Sequence, residues 1–309
     1  MNWNNKRYHT LDYELKKQFG QKVIKLSING GFTCPNRDGT LGYKGCIFCS
    51  EKGSGDFAGE CGKSIESQIN EQIELLKDKW TTNSYIAYFQ SFTNTYGPVE
   101  VLRSKYNEAL KVKNVKGLAI ATRPDCIDEE IVKLLADISE TKGKYLWVEL
   151  GLQTIHEKSA KLINRGYDLK VFEEATKLLD KYNIKYVVHI IFGIPNESYN
   201  EMMETIRYVA KIKPWGVKIH LMHVLKNTEL AKLYEKTNFK LLEKEEYIKY
   251  VCDALELLPS DVVIHRITGD GAKKDLIGPW WSLNKRSVLN GIDKELISRN
   301  SYQGKLYRI

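Results

Sequence analysis

From residue 22 onward, short β-branched runs alternate with longer amphipathic stretches, an alternation that restricts the chain to repeated β/α units around a parallel sheet. Candidate strands cover 22–28, 85–90, 117–122, 146–152, 186–192, 217–224 and 262–267. After Ser64, Ile65, Ile69, Ile73 and Leu76 fall on one helical face, which reads as core. Further helices are expected over 98–110, 128–140, 168–182, 198–211 and 243–257, with Pro98 in a first turn and Asp128 as an N-cap. A full eightfold barrel takes ~250 residues before insertions. Six units plus a seventh strand suit 309 residues better, so the expected class is α/β, a partial (β/α)6 TIM-type barrel. The barrel would span 22–260, with an N-terminal extension at 1–21 and a C-terminal extension at 261–309 that caps the substrate.

One connection breaks the pattern. GGFTCPNRDGTLGYKGCIFCSEKGSGDFAGECGK, more than thirty residues, joins the first strand to its helix, where β/α loops usually take about two to six. It carries Cys34, then Cys46 and Cys49 as a C-x-x-C pair. Thiolates are soft ligands for iron-sulfur clusters or zinc. A four-iron cluster ordinarily takes four cysteines, so three would leave one iron open to a ligand that reacts. The competing reading is a zinc site completed by a histidine or by Cys61. Paired motifs are the usual mark of such sites, and only one C-x-x-C is present. Cys252 reads as a small core hydrophobe, Cys61 as a possible auxiliary ligand, and Cys126 as a thiol just past a strand end.

Composition narrows the classes. No apolar run approaches a membrane span, and the polar N-terminus lacks a secretory h-region, so a cytoplasmic protein with no membrane partner is expected. A net charge of +8, from 47 basic and 39 acidic residues, favours an anionic partner. No H-E-x-x-H and no G-x-x-x-x-G-K-[ST] occurs, which argues against hydrolytic zinc chemistry and P-loop nucleotide hydrolysis.

A C-x-n-C-x-aromatic-C motif after the first strand of a β/α barrel resembles the radical S-adenosylmethionine (SAM) superfamily, although eleven residues separate Cys34 from Cys46 where three are commonest. The segments YFQSFTNTY, ATRPDCI, WVELGLQT, HIIFGIPNES, KIHLMHVLKNTELAKLY and GPWWSLNKRSVLNGID extend the likeness. They resemble a bacterial family related to the radical-SAM half of the Elongator acetyltransferase. The resemblance implies one four-iron four-sulfur cluster on Cys34, Cys46 and Cys49, SAM on the open iron, and Phe48 beside the cofactor. It further implies an electron donor such as flavodoxin or ferredoxin, and tRNA as partner. The expected reaction converts wobble carboxymethylaminomethyluridine to aminomethyluridine, by hydrogen abstraction from the methylene beside nitrogen, oxidation to an imine and hydrolysis. Two other classes stay open: a radical-SAM enzyme acting on a small metabolite or protein, and a zinc-stabilised RNA-binding protein.

Barrel sites gather at the C-terminal ends of strands, which makes Gln90, Ser91, Thr93, Asn94, Thr122, Arg123, Asp125, Glu149 and Gln153 candidates for SAM contact. Glu149, Gly151 and Gln153 share one strand parity. Arg165 could approach the SAM carboxylate, or is an ordinary exposed arginine. Gly193, before Ile194 and Pro195, permits close backbone approach; the resemblance implies an adenine contact there, the alternative being a simple strand-to-helix turn with Pro195 ending the pairing. His189, His220 and His265 lie on strands, where a satisfied hydrogen-bonding role competes with ligand contact. Near the C-terminus, Arg266, Asp270, Lys273, Lys274, Trp280, Trp281, Lys285 and Arg286 interleave cations with aromatics, as single-stranded RNA recognition uses. The alternative is that the tryptophans cap the barrel and the lysines are solvated.

Overall fold

The computed structural model describes every residue except Met1, Asn2, Ser54, Asp56, Phe57, Lys142, Asp270, Ala272 and Ile309. Asp270 of the basic C-terminal segment therefore lies outside the described residues. Seven parallel strands form one curled sheet in the order β1 (Ile24–Ile28), β2 (Tyr85–Phe89), β3 (Val115–Thr122), β4 (Tyr145–Gln153), β5 (Lys185–Phe192), β6 (Gly216–Leu221) and β8 (Val263–Arg266). This is the partial barrel expected from the alternation. The stretch read as one strand over 217–224 divides: β6 ends at Leu221, and β7 (Val224–Leu225) pairs antiparallel with β9 (Leu276–Gly278).

Helices α2 (Ile65–Leu76), α3 (Val99–Lys111), α4 (Glu129–Ala136), α5 (Glu157–Leu162), α6 (Leu169–Lys181), α7 (Tyr199–Ile212), α8 (Glu229–Thr237), α9 (Lys244–Leu257) and α10 (Lys285–Ser298) follow or flank the strands. Their starts are legible locally. Asp128 and Asp168 accept from the backbone N–H of Ile131 and Val171, and Ser198 with Glu201 forms a capping box. The sheet's outer face and the covering helices build the main core, including Leu26, Phe89, Tyr106, Leu150, Phe172 and Tyr247.

A second, smaller core fills the inside of the curl at the strands' N-terminal ends. There Leu15 of α1 (Leu11–Phe19) packs on Val23, Ile86, Trp147 and Val187, with Phe19, Tyr145 and Trp215 at its margin. Helix α1, from the segment set apart as an N-terminal extension, thus stops the lower end of the half-barrel. β8, from the segment set apart as a C-terminal extension, completes the sheet by pairing with β6.

Candidate functional site

Above the α1 plug the half-barrel encloses a cavity of about 540 Å³. Its lining places Cys34, Cys46 and Cys49 around the same space as Gln90, Thr122, Arg123, Glu149, Gln153, His189, His220 and Arg266. The cysteine loop is held there by hydrogen bonds of its own. Gly45 takes a left-handed φ of 71°, and a Cβ there would stand 2.7 Å from Arg37 Nε. Arg37 donates to the Cys49 and Ser50 carbonyls at 3.0 and 2.7 Å. Asn36 donates to the Asn164 carbonyl at 2.7 Å, Asn164 returns a bond to the Gly45 carbonyl at 2.7 Å, and the Ile47 N–H donates to the Ile163 carbonyl at 3.1 Å. Phe48 faces the cavity and packs with Ile163, Ile191 and Met222.

Burial, then the neighbouring Cys49, pushes the Cys46 thiol up to about 12. In the absence of metal that thiol stays protonated at neutral pH. Among the described residues no three His, Cys, Asp or Glu side chains gather tightly around one ion-sized position. A cluster does not call for that, since each thiolate goes to a different iron. The donor set fits such a group: three thiols on one loop, facing a cavity with room beyond them.

The upper wall holds several predicted residues. Thr122 shares a 2.6 Å hydrogen bond with Thr95, and Arg123 forms a two-point pair with Asp125 at 2.9 and 2.7 Å. Glu149, Gly151 and Gln153 all face the cavity, but not through uninterrupted alternation. The β4 register slips between Gly151 and Gln153, and Gln153 adopts a φ of 60°. Phe92, also in the lining, takes a φ of 60°, so two residues with side chains sit in a sparsely populated conformation beside the same cavity.

Other predicted contacts lie elsewhere. Arg165 is neither exposed nor in the lining. At 1% exposure it donates to the carbonyls of Tyr167, Leu152 and Thr154 and to Glu157, because the chain after β4 folds back around its guanidinium. Ser91 and Asn94 are wholly buried outside the lining, Asn94 donating to the Phe89 and Ala121 carbonyls. Gly193, at φ 86°, sits against Leu242 and Met222, and neither it nor Pro195 lines the cavity. His265 also lies off the cavity, its ring 4.9 Å from Trp215 and 5.6 Å from Trp147. Trp281 packs on Tyr247 and donates to the Leu242 carbonyl at 3.0 Å, outside the cavity lining. Trp280, at 60% exposure, and Lys273 and Lys274 are open to solvent, while Lys285 is half-buried at the start of α10.

Between the plug and the cysteines lies a charged layer, of which the sequence reading named Glu149 and His189 but not Lys25, Lys218 or Tyr88 as site residues. Glu149, fully enclosed, takes ion pairs from Lys218 and from Lys25 at 3.6 Å, and hydrogen bonds with His189 Nε2 and from Trp147 Nε1, each at 3.0 Å. Lys218 also donates to Tyr88 Oη at 3.1 Å, and both lysines lie over the Tyr88 ring. Burial alone would raise the Glu149 carboxyl, but Lys218 and then Lys25 outweigh it and hold the group well below its ordinary range. Burial, then Lys218, lowers His189 to about 4. Lys25, Lys218 and Tyr88 carry a signal that was available: they sit on the polar parity of parallel strands whose apolar parity meets the helices.

The histidines make the fold sensitive to acid. His189, His220 and His265 are all lowered, burial being the first cause in each. The unfolded chain binds their protons near pH 6.5, before the folded protein does. Stability is therefore complete above about pH 6.5 and falls as pH drops toward the folded value of about 4 for His189. The urea midpoint is expected to decline across that window, and His189→Asn to flatten part of the slope. An unchanged slope would remove His189 from this account.

Comparison with known proteins follows this geometry. Residues 29–209 match the Radical SAM superfamily, and residues 214–298 match the Radical_SAM C-terminal domain. YtqA of Bacillus subtilis (strain 168) is 50% identical over 303 residues, covering 98% of this chain and 94% of that protein. The tRNA uridine(34) acetyltransferase of Methanocaldococcus infernus is 31% identical over 185 residues, covering 56% of this chain and 34% of that protein. Among solved structures, archaeal Elp3 of Methanocaldococcus infernus superimposes with a TM-score of 0.70 at 19% identity, covering 91% of this chain and 64% of that one. That likeness is one of fold: seven parallel strands curled into a half-barrel, as seen here.

Proposed function

The chain belongs to the radical SAM superfamily, and on that premise we propose that Cys34, Cys46 and Cys49 hold a four-iron four-sulfur cluster whose remaining iron takes SAM. The observation that carries this reading is the meeting of the three thiols on one cavity wall, at the C-terminal ends of the parallel strands. When bound and reduced, the pair supplies a 5'-deoxyadenosyl radical able to abstract a hydrogen atom. The chain's own residues shape the space for it. Phe48 covers the loop side with an apolar ring, and Gln90, Thr122 and Gln153 offer polar groups along the rim. Arg123, held by its two-point pair with Asp125, adds a fixed guanidinium to the wall. A one-electron donor such as flavodoxin or ferredoxin is the protein partner this chemistry requires.

The substrate reading is tRNA bearing carboxymethylaminomethyl at the wobble uridine, converted to aminomethyl. Its supports are the similarity to a tRNA uridine(34) acetyltransferase, the +8 charge, and the exposed Lys273, Lys274 and Trp280. Those lysines continue from Gly269 and Gly271, which line the cavity, so phosphates held there would lie beside the cavity's edge.

Anaerobic reconstitution tests both levels. Enzyme incubated with SAM, a chemical reductant and carboxymethylaminomethyl-bearing tRNA is expected to form 5'-deoxyadenosine, with aminomethyluridine appearing in the digested RNA. SAM cleavage alongside unchanged nucleoside sinks the tRNA reading and leaves a small metabolite or a protein as substrate. A colourless, zinc-loaded preparation without SAM cleavage sinks the radical reading itself.

A further inference from the structure

Two ammonium groups share one carboxylate on the cavity floor. Lys25 and Lys218 both pair with Glu149, and Glu149 is the one carboxylate among the described lining residues. Lys218 is 4% exposed and Glu149 1%. Charges at such depth are costly unless matched, and His189 and His220 bring no compensating negative charge. Burial lowers both lysines from their ordinary values, and Glu149 opposes that shift in each. Arg266 lies in register with Lys218 on the neighbouring strand. Donors converge on the same space: the two ammonium groups, Tyr88 Oη, and a His220 Nε2 that has no hydrogen-bond partner among the described residues.

We propose that this layer is a seat for a second carboxylate, carried by the substrate. The required ligand class is thus a molecule that presents a free carboxylate at the bottom of the cavity, with its reacting carbon between that group and the cofactor above. Among the described residues the layer is one negative charge short, and a carboxylate lying between Lys25 and Lys218 repeats the contacts Glu149 already makes. Phosphates of a nucleic acid chain suit the mouth instead, because the floor lies beneath the cysteine loop and above the α1 plug. This inference rests on the radical SAM reading of the upper cavity and deepens it by naming what the substrate must carry.

The test uses anaerobic holoenzyme with SAM bound and, as probes, the nucleoside 5-carboxymethylaminomethyluridine and its methyl ester, which differ in charge and little else. Calorimetry is expected to show the acid binding about tenfold to a hundredfold more tightly than the ester, the range of a charge-assisted hydrogen bond. Lys218→Met leaves a neutral Lys25–Glu149 pair, so the ratio is expected to collapse to about one. Glu149→Gln enlarges the surplus, so the ratio rises. A merely structural role for these residues would not move the ratio in opposite directions. Equal binding of acid and ester by the unmodified enzyme, including no binding of either, overturns the proposal. So does an undiminished ratio in Lys218→Met with weakened SAM binding, which would assign the seat to SAM's own carboxylate. Should Lys218→Met fail to fold, Lys25→Met makes the same change at a less enclosed position, and the unmodified enzyme's ratio needs no variant. Absence of 5'-deoxyadenosine would count against the radical reading and leaves the acid-to-ester ratio readable.

Discussion

Cys46→Ala is expected to lower anaerobic 5'-deoxyadenosine formation by at least about a thousandfold, equivalent to about 4 kcal/mol of barrier, and to remove most of the iron. Cys46 is the middle thiol of the cavity-facing set, and among the described residues its sulfur accepts one hydrogen bond, from Asn36 Nδ2 at 3.8 Å. Losing that contact costs the fold little. Losing a thiolate leaves two donors where the proposed cluster requires three. Global structure should therefore persist, by circular dichroism and urea midpoint, while iron content and SAM cleavage fall together. Cys61, exposed and outside the lining, supplies the control. Cys61→Ser is expected to keep about four irons per chain. A Cys46→Ala protein that retains iron and full SAM cleavage would refute the ligand assignment, and a Cys61→Ser protein that loses iron would reopen the auxiliary-ligand reading.

Arg165→Met is expected to be the most damaging single change to the fold, costing about 3–5 kcal/mol. The guanidinium reaches the carbonyls of Tyr167, Leu152 and Thr154 at 2.9, 2.9 and 2.7 Å, and Glu157 at 3.1 Å. Methionine fills much of the volume but removes the donor from the Thr154 and Tyr167 carbonyls and from Glu157, the Leu152 carbonyl keeping the Thr154 N–H at 2.8 Å, and each buried group so stripped carries a desolvation penalty. Lysine rescues part of the loss, because one ammonium cannot reproduce a planar fork. Urea denaturation of the three proteins should rank them arginine, lysine, methionine. A methionine variant within about 0.5 kcal/mol of the parent would show that the carbonyls find other partners.

The strands were legible because parallel strands covered by helices need a continuous β-branched face, and each candidate run contains a strand of the sheet to within a few residues. The three thiols were legible because their loop is too long and too rich in glycine for a simple connection. The charged layer was hidden by the same periodicity that revealed the strands. In KVIKLSI, Lys25 and Ser27 alternate with Ile24, Leu26 and Ile28, and such alternation ordinarily means a solvated face. In a curled sheet with helices outside, the polar parity turns inward. Lys25, Tyr88, Glu149, His189 and Lys218 all obey that rule. The histidines could not be ranked from sequence, since strand position alone does not say that His265 faces two tryptophans while His189 meets a buried carboxylate. Arg165 was misjudged because three of its partners are backbone carbonyls, which leave no trace in residue identity.

The hydrogen bonds joining Asn36, Gly45 and Ile47 to the segment Ile163–Arg165 involve no cysteine sulfur and no metal. Small metallodomains commonly fold only as the ion arrives, so chelation and denaturation are one event. Here the thiols are carried on a frame that closes without them. With the proposed cluster on that loop, chelation of its iron is then expected to leave the urea midpoint in place, so that unloading and unfolding are separate events.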